Sequence, residues 1–383
     1  MSKIEDLIKQ YCPNGCEWKT VGECVRILDG QRKPITKAAR IAGKYPYYGA
    51  NGVQDYVADY ILDGTYVLIG EDGSVVTPEG CPIVHWVEGK IWVNNHAHVV
   101  GEMPGVSLRY FFYAISNCNV SNLIHGNIPK LNQSDFKAIM IPVPHIAVQD
   151  EIVRILDKFT ELEKELEKEL ELRRKQYEFY RDELLTFGDD VERIATKDLV
   201  ESKFWLMPAT PSYVDFGVRY ITSKNIKNGK IDFSTASFIS KEDYEELSKN
   251  RYVKTGDLLI TMIGTIGECA FVEDETEFYG QNLYLVRLDD SKINRRYYKY
   301  YFEKSKSSLI AKKNDSSQGY LKAGSIDGLI IPVPSPTEQE RIVKILDKFD
   351  TLTTSLTSGL PAEIKLRKQQ YEYYRDYLFG LLN

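Results

Sequence analysis

Between Gly30 and Gln54 the chain carries Arg32, Lys33, Lys37, Arg40 and Lys44 and no acidic residue. The same stretch holds Tyr45-Pro46-Tyr47-Tyr48-Gly49-Ala50-Asn51-Gly52, a run of aromatics, amides and glycines. Basic side chains contact phosphates, while Asn, Gln and Arg form paired hydrogen bonds with base edges. Arg32, Lys33, Lys37, Tyr47, Tyr48 and Asn51 are therefore candidate DNA contacts, although a solvated loop accounts equally well for this composition. Further candidates in the first half are Asn94 and Asn95 in IWVNNHAHVV, and His125 and Lys130 in the polar loop 117–130. In the second half they are Lys224, Asn225 and Lys227 beside the Asn228-Gly229 turn, Thr265, Gln281 and Asn282, and Lys312, Lys313 and Asn314.

Other chemistries find less support. His96 and His98 lie on one face of an expected strand, but no carboxylate or cysteine stands in register, so hydrogen-bonding roles are expected and no metal. Six cysteines form no C-x-x-C pair and are expected as free thiols. Phosphate-binding glycine loops, G-x-S-x-G and H-E-x-x-H are all missing. So is the Asn/Asp-Pro-Pro-Tyr/Phe signature of amino-methyltransferases, and no catalytic residues are assigned. Residues 1–145 carry 13 Lys and Arg against 14 Asp and Glu, and residues 188–336 carry 21 against 22. Such balance argues against a chain that grips nucleic acid unaided. With no 18-residue apolar run and no apolar leader in MSKIEDLIKQYCPNG, a soluble cytoplasmic protein is expected, with no membrane partner.

These residues need elements to hold them. In the first half a helix is expected over Ile4–Tyr11, with strands over Trp18–Leu28, Tyr66–Gly70 and Ile91–Val100. An aromatic core helix follows over Leu108–Ser116, and a closing strand over Asp135–Val143, restricted to an edge by its prolines. The second half repeats this layout: a hairpin over Arg219–Phe233, strands over Asp257–Met262 and Leu283–Leu288, and a helix over Asn294–Phe302.

Each half ends in the same segment. Ile141–Phe159 aligns with Ile331–Phe349 at an offset of 190, and Leu172–Asp182 with Leu366–Asp376 at an offset of 194. Internal repetition of this length implies two modules of one design. Val148–Phe187 contains neither Gly nor Pro and predicts one helix roughly 60 Å long at about 1.5 Å per residue. Ile155, Phe159, Leu162, Leu166, Leu170, Arg173, Tyr177, Tyr180 and Leu184 form a coiled-coil seam, with a stutter at the ELEK repeats. The partner seam is expected from the second copy through Leu352, Leu356, Tyr371 and Tyr374. That copy opens on a capping box, Thr337 with Glu340, and breaks at Ser358-Gly359-Leu360-Pro361.

The tandem IPVP-x4-Q-[DE]-x-IV-[RK]-ILDKF segments resemble type I restriction–modification specificity subunits. So do LRRKQYEFYRD and LRKQQYEYYRD, and YPYYGANGVQDYV…YVLIGEDGSV. The resemblance covers nearly the whole chain. It implies an α+β fold with two similar α/β target-recognition domains bearing twisted sheets, at 1–145 and 188–336. The helical regions 146–187 and 337–383 would pair as an antiparallel coiled coil with pseudo-twofold symmetry. It further implies partners: double-stranded DNA, two methyltransferase subunits and restriction (translocase) subunits. S-adenosylmethionine, ATP and Mg reside in those partners, with adenine methylation the usual outcome. The rival reading is a coiled-coil adaptor whose two modules bind protein and have no sequence-specific DNA role.

Overall fold

The computed structural model describes residues 3–73, 75–274, 276–311, 320–355 and 358–382. Six helices organise it: α1 (Lys3–Tyr11), α2 (Leu108–Ser116), α3 (Ile146–Leu184), α4 (Arg295–Ala311), α5 (Pro336–Thr354) and α6 (Leu360–Gly380). Two compact units divide the chain, one of residues 1–166 with 364–383 and the other of residues 167–363. The division falls within the long helices, so each stretch of helix belongs with the module it packs against.

In the first unit a six-stranded sheet runs in the order Arg26–Ile27, Ala97–Gly101, Leu62–Gly70, Val84–Val93, Ala42–Gly49, Gly52–Val57. Its pairs are antiparallel except Tyr47-Tyr48 beside Trp92-Val93, which are parallel. The fully buried Val67 and Ile69 on one face of Leu62–Gly70 meet Tyr110, Phe111 and Ile115 of α2. A separate two-stranded ribbon pairs Glu17–Thr20 with Met140–Val143, Trp18 standing opposite Pro142. Three expected strands are interrupted. Glu23 accepts from the Thr20 backbone N–H at 2.8 Å, and this capping box starts a one-turn helix, Val21–Cys24, inside Trp18–Leu28. Asn94 Oδ1 accepts from the His96 N–H at 2.8 Å, turning the chain and splitting Ile91–Val100 between two strands. The closing segment begins as helix Gln133–Ala138 and becomes strand only at Met140.

The second unit splits its sheet. Val200–Leu206, Leu283–Leu288, Leu258–Thr261 and Cys269–Phe271 form four antiparallel strands, while Ser237–Ile239, Val218–Ile221 and Phe278–Gly280 form three. The hairpin expected over Arg219–Phe233 is reduced to Ile226–Lys227 paired with Lys230–Ile231, with Asn228 and Gly229 both at positive φ, 51° and 74°, while Val218–Ile221 pairs with the other two strands of the three-stranded sheet. Arg193–Ala195 pairs with Ile330–Pro332, repeating the ribbon of the first unit.

The long helices pair within each unit. In the first, Phe159 of α3 stacks on Tyr374 of α6 at 5.2 Å and Glu163 meets Lys368 at 3.1 Å, an antiparallel register. In the second, Tyr177 and Tyr180 of α3 flank Phe349 of α5. Leu162, Leu166, Leu170, Leu352 and Tyr371 are half-buried, as a two-helix seam requires, whereas Leu356 lies outside the described residues. The expected capping box at Thr337 is replaced by Ser335, whose hydroxyl accepts from the Glu338 N–H. Pro336 fixes this start, because proline fits the first helical position where no N–H partner is needed. Gly359, at φ 81°, ends the break before α6; a Cβ there would lie 2.6 Å from the Thr351 carbonyl oxygen.

Candidate nucleic-acid interface

Most of the candidate residues in the first unit gather where three strands of the sheet end. Glu71 follows Leu62–Gly70 and is held by backbone bonds to His96 and Leu131. Its carboxylate pairs with Arg32 and, at 3.3 Å, with Lys130. Arg32 also donates to the backbone oxygens of Asp29 and Ala97, at 3.0 Å each. Asp72 pairs with His96. Lys33, Asn95 and His125 are exposed beside this cluster, and His125 approaches Asp135 at 3.6 Å; Lys37 and Asn51 are exposed as well.

Beneath it lies a group that sequence patterning missed. Asp29 accepts from His98 Nδ1 at 2.8 Å, from the Val99 N–H and from Gln133, and His98 Nε2 faces the Leu131 carbonyl. Burial raises the Asp29 pKa, but these hydrogen bonds outweigh it and leave the carboxyl below its ordinary range. Asp29, Glu71 and His98 are close enough to ligate a metal. Arg32 already supplies the cation to both carboxylates, so the donor set fits a paired polar network better than a metal centre.

Burial corrects four assignments. Tyr47 is 1% exposed; its hydroxyl bonds both the N–H and the carbonyl of Ile35, and the Arg40 guanidinium covers its ring at 4.2 Å. It is a core residue that pins the basic loop. Asn94, 3% exposed, shapes the turn described above and donates to Gln54. Arg32 is spent on Glu71 and Asp29. In the second unit Asn225 is buried: it accepts from the Thr222 N–H at 2.9 Å and donates to Asp232 at 3.0 Å, closing its loop.

Tyr48 and Asn51 line a cleft of about 880 Å³ with His85, Trp86, Arg109 and Lys164, four residues the sequence did not flag. In the second unit Lys224, Lys227 and Thr265 are exposed, and Thr265 donates to the Ser223 carbonyl at 3.0 Å. Gln281 holds the loop 207–217 through Pro208 and Thr210, and that loop carries Phe216, 89% exposed. Asn282 adopts φ 64°, a conformation asparagine tolerates. Lys312, Lys313 and Asn314 lie outside the described residues.

Comparison with known proteins bears on this arrangement. The type I restriction modification DNA specificity domain matches residues 13–172 and again 212–366. A Haemophilus influenzae protein bearing the name of a type I restriction enzyme specificity subunit is 36% identical over 386 residues, 95% of each chain. The specificity subunit of an Escherichia coli type I restriction enzyme is 35% identical over 293 residues, 71% of this chain and 70% of that protein. Among solved structures, a type I restriction–modification S subunit from M. genitalium superposes with a TM-score of 0.56 at 15% identity, covering 96% of both chains. A second structure, from work on assembly and conformational transition of the type I system, gives 0.54 at 14% identity, covering 96% and 98%. These two show likeness of fold. With both halves matched and close relatives along nearly its full length, the chain belongs to the type I restriction–modification DNA specificity family.

Proposed function

We propose that the chain reads a split DNA target, one half with residues 1–145 and the other with residues 188–336, leaving an unread spacer set by the paired helices. The observation that carries this reading is the duplication. Each module ends a sheet in cationic and amide side chains, and each is built onto a copy of the same helical repeat. Exposed Lys33, Lys37, Lys224 and Lys227 suit phosphates, while exposed Asn51 and Asn95 suit base edges. As a specificity subunit the chain is itself non-catalytic. S-adenosylmethionine, ATP and Mg belong to the methyltransferase and restriction subunits.

Two methyltransferase subunits dock on the repeated helical faces. Leu172 and Phe179 on α3 are 56% and 65% exposed, and their repeat equivalents Leu366 and Tyr373 on α6 are 64% and 66% exposed. Two like faces suit two copies of one partner. A net charge of −6 also suits a reader that approaches DNA inside a larger complex whose other subunits grip the phosphates. The adaptor reading leaves the clusters at the sheet ends without a role.

Mapping methylated adenines in a host that carries the chain and its methyltransferase should yield a two-part motif. Deleting Glu165–Lys168 removes about 6 Å of helix, close to two base pairs at about 3.4 Å each. The variant should alter the spacer by one or two base pairs and keep both half-sites. A contiguous motif, or an unaltered spacer, overturns the reading.

A further inference from the structure

The two modules differ in sheet topology and in their loops, yet one group of hydrogen bonds occurs in both. In the first unit Gln149, fully buried in the first turn of α3, accepts from the Ser107 N–H at 2.9 Å. Its amide donates to the carbonyls of Pro144 at 2.9 Å and Gly105 at 3.0 Å. Tyr110 donates to the Pro142 carbonyl at 2.7 Å. Further along α3, Asp157 accepts from Arg109 at 2.7 Å and from Tyr113 at 2.6 Å. In the second unit Gln339 accepts from the Asn294 N–H and donates to the Pro334 carbonyl, both at 2.8 Å. Tyr297 donates to the Pro332 carbonyl at 2.8 Å, and Asp347 accepts from Arg296 and Tyr300, each at 2.6 Å.

The match is residue for residue. Arg109, Tyr110 and Tyr113 recur 187 positions later as Arg296, Tyr297 and Tyr300. Pro142, Pro144, Gln149 and Asp157 recur 190 positions later as Pro332, Pro334, Gln339 and Asp347. Of the matched side chains, Arg109 and Asp157 line the cleft that also holds the candidate contacts Tyr48 and Asn51, whereas the buried glutamines do not. All lie where a recognition module's own helix, α2 or α4, meets the helix that carries it. A buried glutamine bonded to two backbone segments, at Ser107 and Pro144 in one unit and at Asn294 and Pro334 in the other, holds them in one geometry, because any sliding leaves a polar group unsatisfied away from water. The carboxylate two turns along, held by an arginine and a tyrosine, adds a second fixed point, and two points define an angle.

We propose that this duplicated set is a latch that fixes the angle between each recognition module and its helix, making Gln149, Asp157, Gln339 and Asp347 positioning residues for half-site spacing. The inference rests on the split-target reading. It assigns to these residues the spacing at which the enzyme acts and no part in choosing bases.

The test uses the assembled methyltransferase complex, with Gln149→Met and Gln339→Met made separately and methylated sites mapped by sequencing. Each variant should raise methylation at sites whose spacer is one base pair too long or too short by roughly tenfold relative to cognate sites, the low end of what leaving a buried hydrogen-bonding group unsatisfied costs. Both half-site sequences should stay unchanged. Uniform loss at cognate sites without off-spacing methylation overturns the latch, as does relaxed base choice in either half. Should the Met variants fail to assemble, Asp157→Asn decides, since its side chain is 42% exposed and the amide keeps an acceptor. It should give the same shift at a few-fold scale, and unchanged spacing overturns the proposal. A wild-type motif that is not split refutes the underlying reading instead.

Discussion

Neutralising Glu71 should make the enzyme bind DNA of any sequence more tightly. The Glu71 carboxylate pairs with both Arg32 and Lys130. In Glu71→Gln the side-chain oxygen still accepts a hydrogen bond, but the charge is gone. Arg32, with its side chain 15% exposed, stays fixed by the backbone oxygens of Asp29 and Ala97. Lys130, 43% exposed, is the cation set free. One further phosphate contact steepens the dependence of log affinity on log salt by about 0.9. Between about 50 and 200 mM salt the variant should therefore lose about 3- to 4-fold more affinity than the native complex. Near 0.1 M the same slope allows a gain of up to about 8-fold in non-specific binding. Fluorescence anisotropy of the assembled methyltransferase complex on a duplex lacking the motif, titrated at several salt concentrations, measures both quantities. Adding Lys130→Met to the variant should restore the native slope. Parallel salt lines for native and Glu71→Gln would refute the idea that this carboxylate masks a phosphate-binding cation.

Two further outcomes concern stability. Asp257 is fully buried and accepts from Arg287 at 2.7 and 2.8 Å, so Arg287→Met strands a charge and should cost about 3–5 kcal/mol in urea unfolding. Replacing both partners by apolar residues should cost less than half of that, and a single-variant loss under about 1 kcal/mol would count against the pair. Glu151, hydrogen-bonded by Arg154 and then Lys3, has its pKa drawn down from 4.5 to about 2 despite burial. Its contribution is thus present above pH 4.5 and disappears as pH falls toward 2. Because Lys3 and Arg154 are largely exposed and screened, about 1–2 kcal/mol is expected. The gap in stability between native protein and Glu151→Gln should close over that pH range, and a gap that stays constant contradicts the assignment.

Elements governed by apolar period were legible in the sequence. Leu108–Ser116 and Leu283–Leu288 match their expected bounds, and the α3 seam follows its spacing. Strands were misread wherever a polar side chain captured a backbone N–H, as Glu23 and Asn94 do. Composition cannot separate a polar residue that closes a turn from one that faces solvent, and Asn225 and Asn51 illustrate the two cases. Tyr47 and Tyr48 are neighbours of one type, yet strand alternation sends Tyr47 inward beneath Arg40 and leaves Tyr48 in the cleft. His85 and Asp29 gave no local signal, because each acquires its surroundings from strands distant in sequence.

Duplication explains why the two units match in one place and diverge in another. The ribbons Glu17–Thr20 with Met140–Val143 and Arg193–Ala195 with Ile330–Pro332 are the same device, and so are the buried glutamines beside them. A junction must present one geometry to the helix whatever its module reads, so its hydrogen bonds admit little substitution. The sheet ends are free of that demand: one unit places Arg32, Glu71 and His98 there, the other Thr265, Gln281 and an exposed Phe216. Two modules that share a mount and differ at the tip are what reading two different half-sites at one fixed spacing requires.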